Sequence, residues 1–197
     1  MNPSTAIAVT AAAAVQNDTV IVRGNIAPTQ RLPHPDPLAA ALLHAVALLV
    51  STLSEPARER LGLILATTHG CLHTDRDFDR SRRDDPRFAS PAAFSRTLPS
   101  TLAAEAALRF GLRGPSMVLA APDHSSPARA LHRAAAWLHA FSLTHCIAGA
   151  FDLTDDVAHV GLVLLETDAT NPLAHNPHIE TLSDLIAWIR TAGQIAP

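Results

Sequence analysis

The segment Leu38–Leu53 (LAAALLHAVALLVSTL) is apolar around most of a helical circumference, and His44 is its one ionisable side chain. A helix of that kind is stable only when protein covers nearly all of it. It stops near Ser54-Glu55-Pro56, since proline cannot continue a helix interior. Before it, Ile26–Pro37 holds four prolines and reads as an extended loop. After it, Leu61–Thr67 (LGLILAT) is a short apolar run bounded by turn residues, the pattern of a strand buried on both faces. The apolar helix is too short, and too interrupted by His44, to span a bilayer.

The remaining elements follow from pattern. A strand is expected at Ala6–Thr10, with Thr19–Val22 extending it or pairing with it. Cys71–Arg87, dense in Asp and Arg, predicts a solvated helix or loop. Ser100–Phe110 predicts a helix with Ser100 as cap and Gly111 just past its end. Met117–Ala121 reads as a strand, Ser126–Ala140 as a helix, and Thr144–Ala150 and Val157–Leu165 as strands. Leu182–Ile189 places Leu182, Leu185, Ile186 and Ile189 on one helical face. Strands alternating with helices predict one α/β domain over residues 1–197, with a mainly parallel five-stranded sheet and flanking helices.

Bulk properties narrow the function. Hydrophobic residues make up 48% of the 197 and charged ones 17%, which argues for a packed core over disorder. The formal net charge of −3 excludes a nucleic-acid binder that works through a basic surface. Two cysteines, Cys71 and Cys146, make a poor disulfide framework, so a reducing cytoplasm is expected. The N-terminus lacks a basic leader before its apolar stretch, against a signal peptide. A soluble cytoplasmic protein is the expectation.

Three chemical signals stand out. Asp123-His124-Ser125-Ser126 offers serine as nucleophile and histidine as base, but adjacent residues on a tight turn seldom align, and the G-x-S-x-G elbow is absent. A helix N-cap followed by Pro127 is the simpler reading. His69, His73, Asp75, Asp77 and Asp79 offer metal ligands, yet Gly70 argues for a turn, and Arg76, Arg80, Arg82 and Arg83 make this a self-paired surface. No metal is expected. Gly111 and Gly114 form no phosphate loop, and no cofactor is expected.

The run Ser90–Leu131 (SPAAFSRTLPSTLAAEAALRFGLRGPSMVLAAPDHSSPARAL), and Ala106–Ser116 within it, resembles the N-terminal half of a β-ketoacyl synthase of thiolase-like fold. Ile7–Thr10 resembles the opening strand of that family, Leu38–Leu53 its first long helix, and Arg58–Gly70 its second strand and the following turn. Thr144–Ala150 (THCIAGA) resembles the strand ending in a paired glycine motif, with Ala150 at the second glycine, and Val157–Glu166 the closing strand. The resemblance covers about residues 5–166 and is strongest over 58–166; residues 167–197 form a tail with an amphipathic helix.

Three departures matter. The turn that holds the family's nucleophilic cysteine reads Pro122-Asp123-His124-Ser125-Ser126. The loops before the closing strand shrink to Asp152–Asp156. The second half of the fold, with its two histidines, is not found.

The resemblance therefore implies one half of a thiolase-like fold without catalysis. It is similar to the small chain-length-factor relatives found in aryl-polyene and type II polyketide pathways. In polyketide or fatty-acid-like biosynthesis, such a subunit forms a heterodimer with a complete ketosynthase, with an acyl-carrier protein as a further partner. The family's dimer strand corresponds to Ser116, Met117, Val118, Leu119 and Ala120. Leu98, Thr101, Leu102 and Glu105 correspond to the segment that reaches the partner's acyl tunnel. In a complete ketosynthase the helix matching Ala128–Leu138 is covered by the second half, so a partner or the tail has to cover it here. Two alternatives stay open. One is a small acyl-transfer or hydrolytic enzyme using Ser125 or Ser126 with His124; the other is a free-standing α/β binding module.

Overall fold

A computed structural model of the chain describes residues 7–31, 33–120, 126–167 and 179–191. Six strands form one sheet: β1 (Ile7–Gln16), β2 (Thr19–Arg23), β3 (Gly62–Thr67), β4 (Ser116–Ala120), β5 (His145–Thr154) and β6 (Val157–Thr167). Their spatial order is β2-β1-β6-β5-β3-β4. Only β3–β4 and β3–β5 are parallel; β1–β2, β1–β6 and β5–β6 are antiparallel. The α/β class with flanking helices stands, but the expected five-stranded, mainly parallel sheet is corrected to a mixed one of six.

Two hairpins account for the difference. β1 turns into β2 at Asn17-Asp18, with Asn17 at φ 50°, a region asparagine tolerates. β5 turns into β6 through Asp155 and Asp156 alone, at φ 50° and 59°. The shortened loop expected at Asp152–Asp156 is thus tighter still, because β5 continues through Asp152 to Thr154. β1 also runs six residues beyond the expected strand end at Thr10, through Ala11–Ala14, although alanine is a weak strand former. Pairing on both edges and burial on both faces override that propensity. Ala11, Ala13 and Val15 join one core and Ala12 and Ala14 the other, with the alternation of a strand, while a register shift between Val9 and Ala11 turns Val9 to the second core.

On one face lie α1 (Pro37–Val50) and α5 (Pro99–Phe110), and on the other α6 (Ser126–Ala140) and α7 (Leu182–Thr191). Between them in sequence come α2 (Glu55–Glu59), α3 (Leu72–Asp84), a 3-10 turn at Pro86–Phe88 and α4 (Pro91–Phe94). All thirteen residues Leu38–Val50 of α1 are buried, as its composition requires. His44 is buried with them; desolvation, helped by the Arg31 charge, holds its imidazole below the usual value. α6 lies over β3 and β5, and α7 over β6, β1 and β2. Leu185, Ile186 and Ile189 of α7 enter the second core, and Arg23 sits 4.0 Å over the Trp188 ring. The tail helix thus helps cover the sheet face carrying α6. α5 starts one residue earlier than expected: Leu98 takes the cap position, Pro99 the first turn, and Ser100 lies inside the helix. Gly111 ends it at φ 68°, as the sequence implied. No helix among the described residues is long and apolar enough to cross a membrane.

The N-terminus of α1 is held by Asp36, whose Oδ1 accepts from Leu38 N at 2.9 Å and Ala39 N at 3.2 Å. Its Oδ2 lies 3.2 Å from His73 Nε2, tying α3 to α1. The Asp36 hydrogen bond raises the His73 pKa above its usual value. Burial alone would push the Asp36 carboxyl up, but the His73 and backbone hydrogen bonds outweigh it and the carboxyl sits lower than usual.

Two predictions follow from this packing. A Cβ at Gly149 would lie 2.1 Å from the Gly161 carbonyl oxygen, so β5 and β6 would have to separate. Gly149→Ala should cost about 3 kcal/mol in urea unfolding, and an unchanged midpoint would contradict this packing. For the Asp36–His73 pair, the histidine contribution is complete below its unfolded pKa of about 6.5 and is lost as pH rises through the raised folded value. In His73→Gln, the fall in unfolding midpoint above about pH 6.5 should flatten relative to wild type. An identical pH slope in the two proteins would refute the pairing.

Candidate functional site

β4 is an edge strand: among the described residues it pairs with β3 alone. Ser116 and Ala120 are exposed, and Met117, Val118 and Leu119 half-buried. Every strand between β4 and the far edge is paired on both sides, so β4 presents open backbone donors and acceptors beside a helical layer.

α5 lies beside this edge and carries the residues expected to face a partner. Leu98 is 59% exposed at its start. Thr101 Oγ1 donates to the Ser95 carbonyl at 2.9 Å, fixing the turn between α4 and α5. Leu102 points inward and joins the α1 core. Glu105 is half-buried, 3.4 Å from His34 Nε2 and 3.2 Å from Arg109 Nη2. His34 Nδ1 accepts from Asp36 N at 3.0 Å. Glu105, the proline-rich loop and the α1 cap therefore form one polar chain. Leu98, Thr101 and Glu105 lie outside the α1 core that Leu102 enters.

Two exposed apolar residues extend this surface without having been singled out in the sequence: Phe94 at 58% and Leu108 at 85%. Phe94 stacks at a tilt on Phe78, centroids 5.3 Å apart. Leu108 was detectable. With Leu102, Ala103 and Ala106 facing inward, it falls on the opposite side of the helix, with Thr101 and Glu105. No helical projection finds Phe94, which lies in a four-residue helix.

The expected nucleophile turn falls partly out of view: Pro122, Asp123, His124 and Ser125 lie outside the described residues, and Ser126 is the first residue of α6. The two thiols are elsewhere. Cys71 precedes α3 and Cys146 lies within β5; both are buried. Burial pushes each thiol up to about 12, helped at Cys71 by Asp36 and Asp75. Such thiols remain protonated at neutral pH and are poor nucleophiles.

The His/Asp cluster separates. His73 turns to Asp36, while Asp77 pairs with Arg80, and Asp79 with Arg82 and Arg83. His69 lies in the turn before α3, 3.5 Å from Asp152 Oδ1. Asp152 itself is a buried carboxylate that the sequence did not mark. It accepts from Thr67 Oγ1 at 2.7 Å, Thr68 N at 3.1 Å and His69 N at 2.9 Å. These bonds shape the turn out of β3 and occupy most of the carboxylate's acceptor capacity. A cavity of about 360 Å³ opens beside it, lined by His69, Thr154, His159 and Ser183 among others.

Comparison with known proteins agrees with this architecture. Residues 32–169 match the β-ketoacyl synthase N-terminal domain. No curated protein matches. Among solved structures, the chain is similar to the ishigamide ketosynthase/chain length factor, with a TM-score of 0.69 and 17% identity, covering 88% of this chain and 64% of that one. It is similar to a type II polyketide ketosynthase in complex with its acyl-carrier protein, at TM-score 0.65 and 11% identity, covering 83% and 58%. It also resembles a ketosynthase in complex with its chain length factor from Xenorhabdus doucetiae, at TM-score 0.62 and 14% identity, covering 83% and 76%. The chain spans less than two-thirds of the first two structures, and at these identities the likeness is one of fold. With a family match over most of its length and this fold, the chain belongs to the β-ketoacyl synthase N-terminal domain family.

Proposed function

We propose that this chain is a non-catalytic ketosynthase-like subunit, of chain-length-factor type, that pairs with a complete β-ketoacyl synthase in polyketide-type biosynthesis. The observation that carries this reading is a family scaffold whose only two thiols are buried away from the start of α6. Condensation through a thioester needs an accessible thiolate, a histidine partner and oxyanion donors. In this sequence the segment between β4 and α6 reads Ala121-Pro122-Asp123-His124-Ser125, with no sulfur in it.

What the scaffold retains is a surface suited to a partner. The open β4 edge and the apolar residues Leu98 and Leu108 of α5 extend beyond the core. Two solved structures that it resembles are a ketosynthase/chain length factor and a ketosynthase complexed with its chain length factor. Strand addition at β4 would supply the backbone bonds of such a pairing, and Leu98 and Leu108 its apolar contacts. The start of α5 then faces the partner's acyl tunnel. There the bulk of Leu98 and Thr101, backed by Leu102 and Glu105, limits how far a growing chain extends. An acyl-carrier protein delivers to the partner's thiol, and an aryl-polyene-like or fatty-acid-like product is the finer reading.

Co-expressed with a complete ketosynthase, the chain should elute with it as a 1:1 complex, and separate elution would contradict the pairing. In that complex, Cys71→Ser and Cys146→Ala in this chain should leave turnover within about twofold, while loss of the partner's own cysteine should abolish it. Loss of condensation caused by either substitution here, in a complex that still assembles, would reverse the assignment of chemistry. Leu98→Phe should shorten the product, and unchanged product length would remove Leu98 from the tunnel.

A further inference from the structure

A groove of about 580 Å³ runs between the open edge of β4 and α6, lined by Val118, Leu119 and Ala120 on one side and Arg129, His132 and Arg133 on the other. None of its described lining residues is acidic. α6 as a whole, SPARALHRAAAWLHA, contains two arginines, two histidines and no carboxylate. His132 and Arg133 are exposed, whereas Arg129 already has an interaction within the chain. Among the described residues, the outer edge of β4 is thus unpaired backbone flanked by the positive Arg133 and the imidazole of His132.

We infer that this groove selects the occupant of the β4 edge by charge: it accepts an extended strand with carboxylates on its α6-facing side, from a non-identical partner, and rejects a second copy of this chain. The inference rests on the pairing reading above and names the chemistry of the partner's strand. Two edge strands that pair antiparallel across a twofold are related by an axis normal to the sheet. Such an axis puts both copies of α6 on the same face, flanking one shared groove. In a homodimer, Arg133 of each copy would face its duplicate across the shared cleft, with the His132 rings beside them, and like charges there oppose pairing. An acidic strand would turn the same groove attractive and accelerate encounter.

A charge-reversed copy of this chain, His132→Glu/Arg133→Glu, is the probe, used only after its thermal midpoint is shown to match wild type. In analytical ultracentrifugation each protein alone should sediment as a monomer. An equimolar mixture should form a 1:1 dimer, weakened about tenfold or more between about 0.05 M and about 0.5 M salt. Ser116→Cys in one protein and Ala120→Cys in the other should give a disulfide-linked dimer under mild oxidation only in the mixture, which locates the contact at β4. Wild type that dimerises and cross-links through β4 by itself, or a mixture that stays monomeric, would overturn the inference. The two readings fail separately. A mixture that pairs as expected beside a ketosynthase that never co-elutes removes the proposed function and leaves the charge rule. A ketosynthase that binds Arg133→Glu as tightly as wild type, beside a monomeric mixture, removes the charge rule alone.

Discussion

The complete burial of α1 is the constraint on which the rest of the structure depends. A helix apolar on every side needs a sheet beneath it and further chain around it, and the chain supplies both. β1, β6 and β5 form the floor, α5 packs alongside, and the loop carrying His34 and Asp36 closes over its N-terminus. The same loop reaches Glu105 on α5 and His73 on α3. Seating α1 therefore also sets the position of α5 and of the surface that it shares with β4.

Much of this order was legible from residue pattern, because the signals were local. The boundaries of α6, the αL glycine after α5 and the amphipathic face of α7 each follow from a few neighbouring residues. What stayed hidden depends on tertiary context. The alanine run in β1 has no strand propensity to read; its partners on both edges hold it extended. The antiparallel return of β5 into β6 hinges on two aspartates at positive φ, whose turn geometry the sequence does not declare. Asp152 looked like a loop residue and proves to be the buried acceptor that shapes the turn after β3.

The candidate surface divides in the same way. Leu98 and Leu102 are legible as apolar residues of α5, but only the fold separates the exposed one from the buried one. The resemblance marks β4, and the groove of basic side chains beside it forms only once α6 is packed against the sheet. The scaffold packs its own helices on both sheet faces, and among the described residues its two edge strands, β2 and β4, each pair on one side only, β4 beside the α6 groove. An open edge is hazardous unless something defends it, and here the positive Arg133 stands beside it as the defence.

The most direct test of this account is hydrogen exchange along β4, with and without a complete ketosynthase. Binding should slow the outward-facing amides of Ser116–Ala120 by about tenfold or more, while the α1 amides, already protected, change little. A complex that forms yet leaves the β4 amides exchanging at their free rate would contradict the claim that this edge is where the scaffold works.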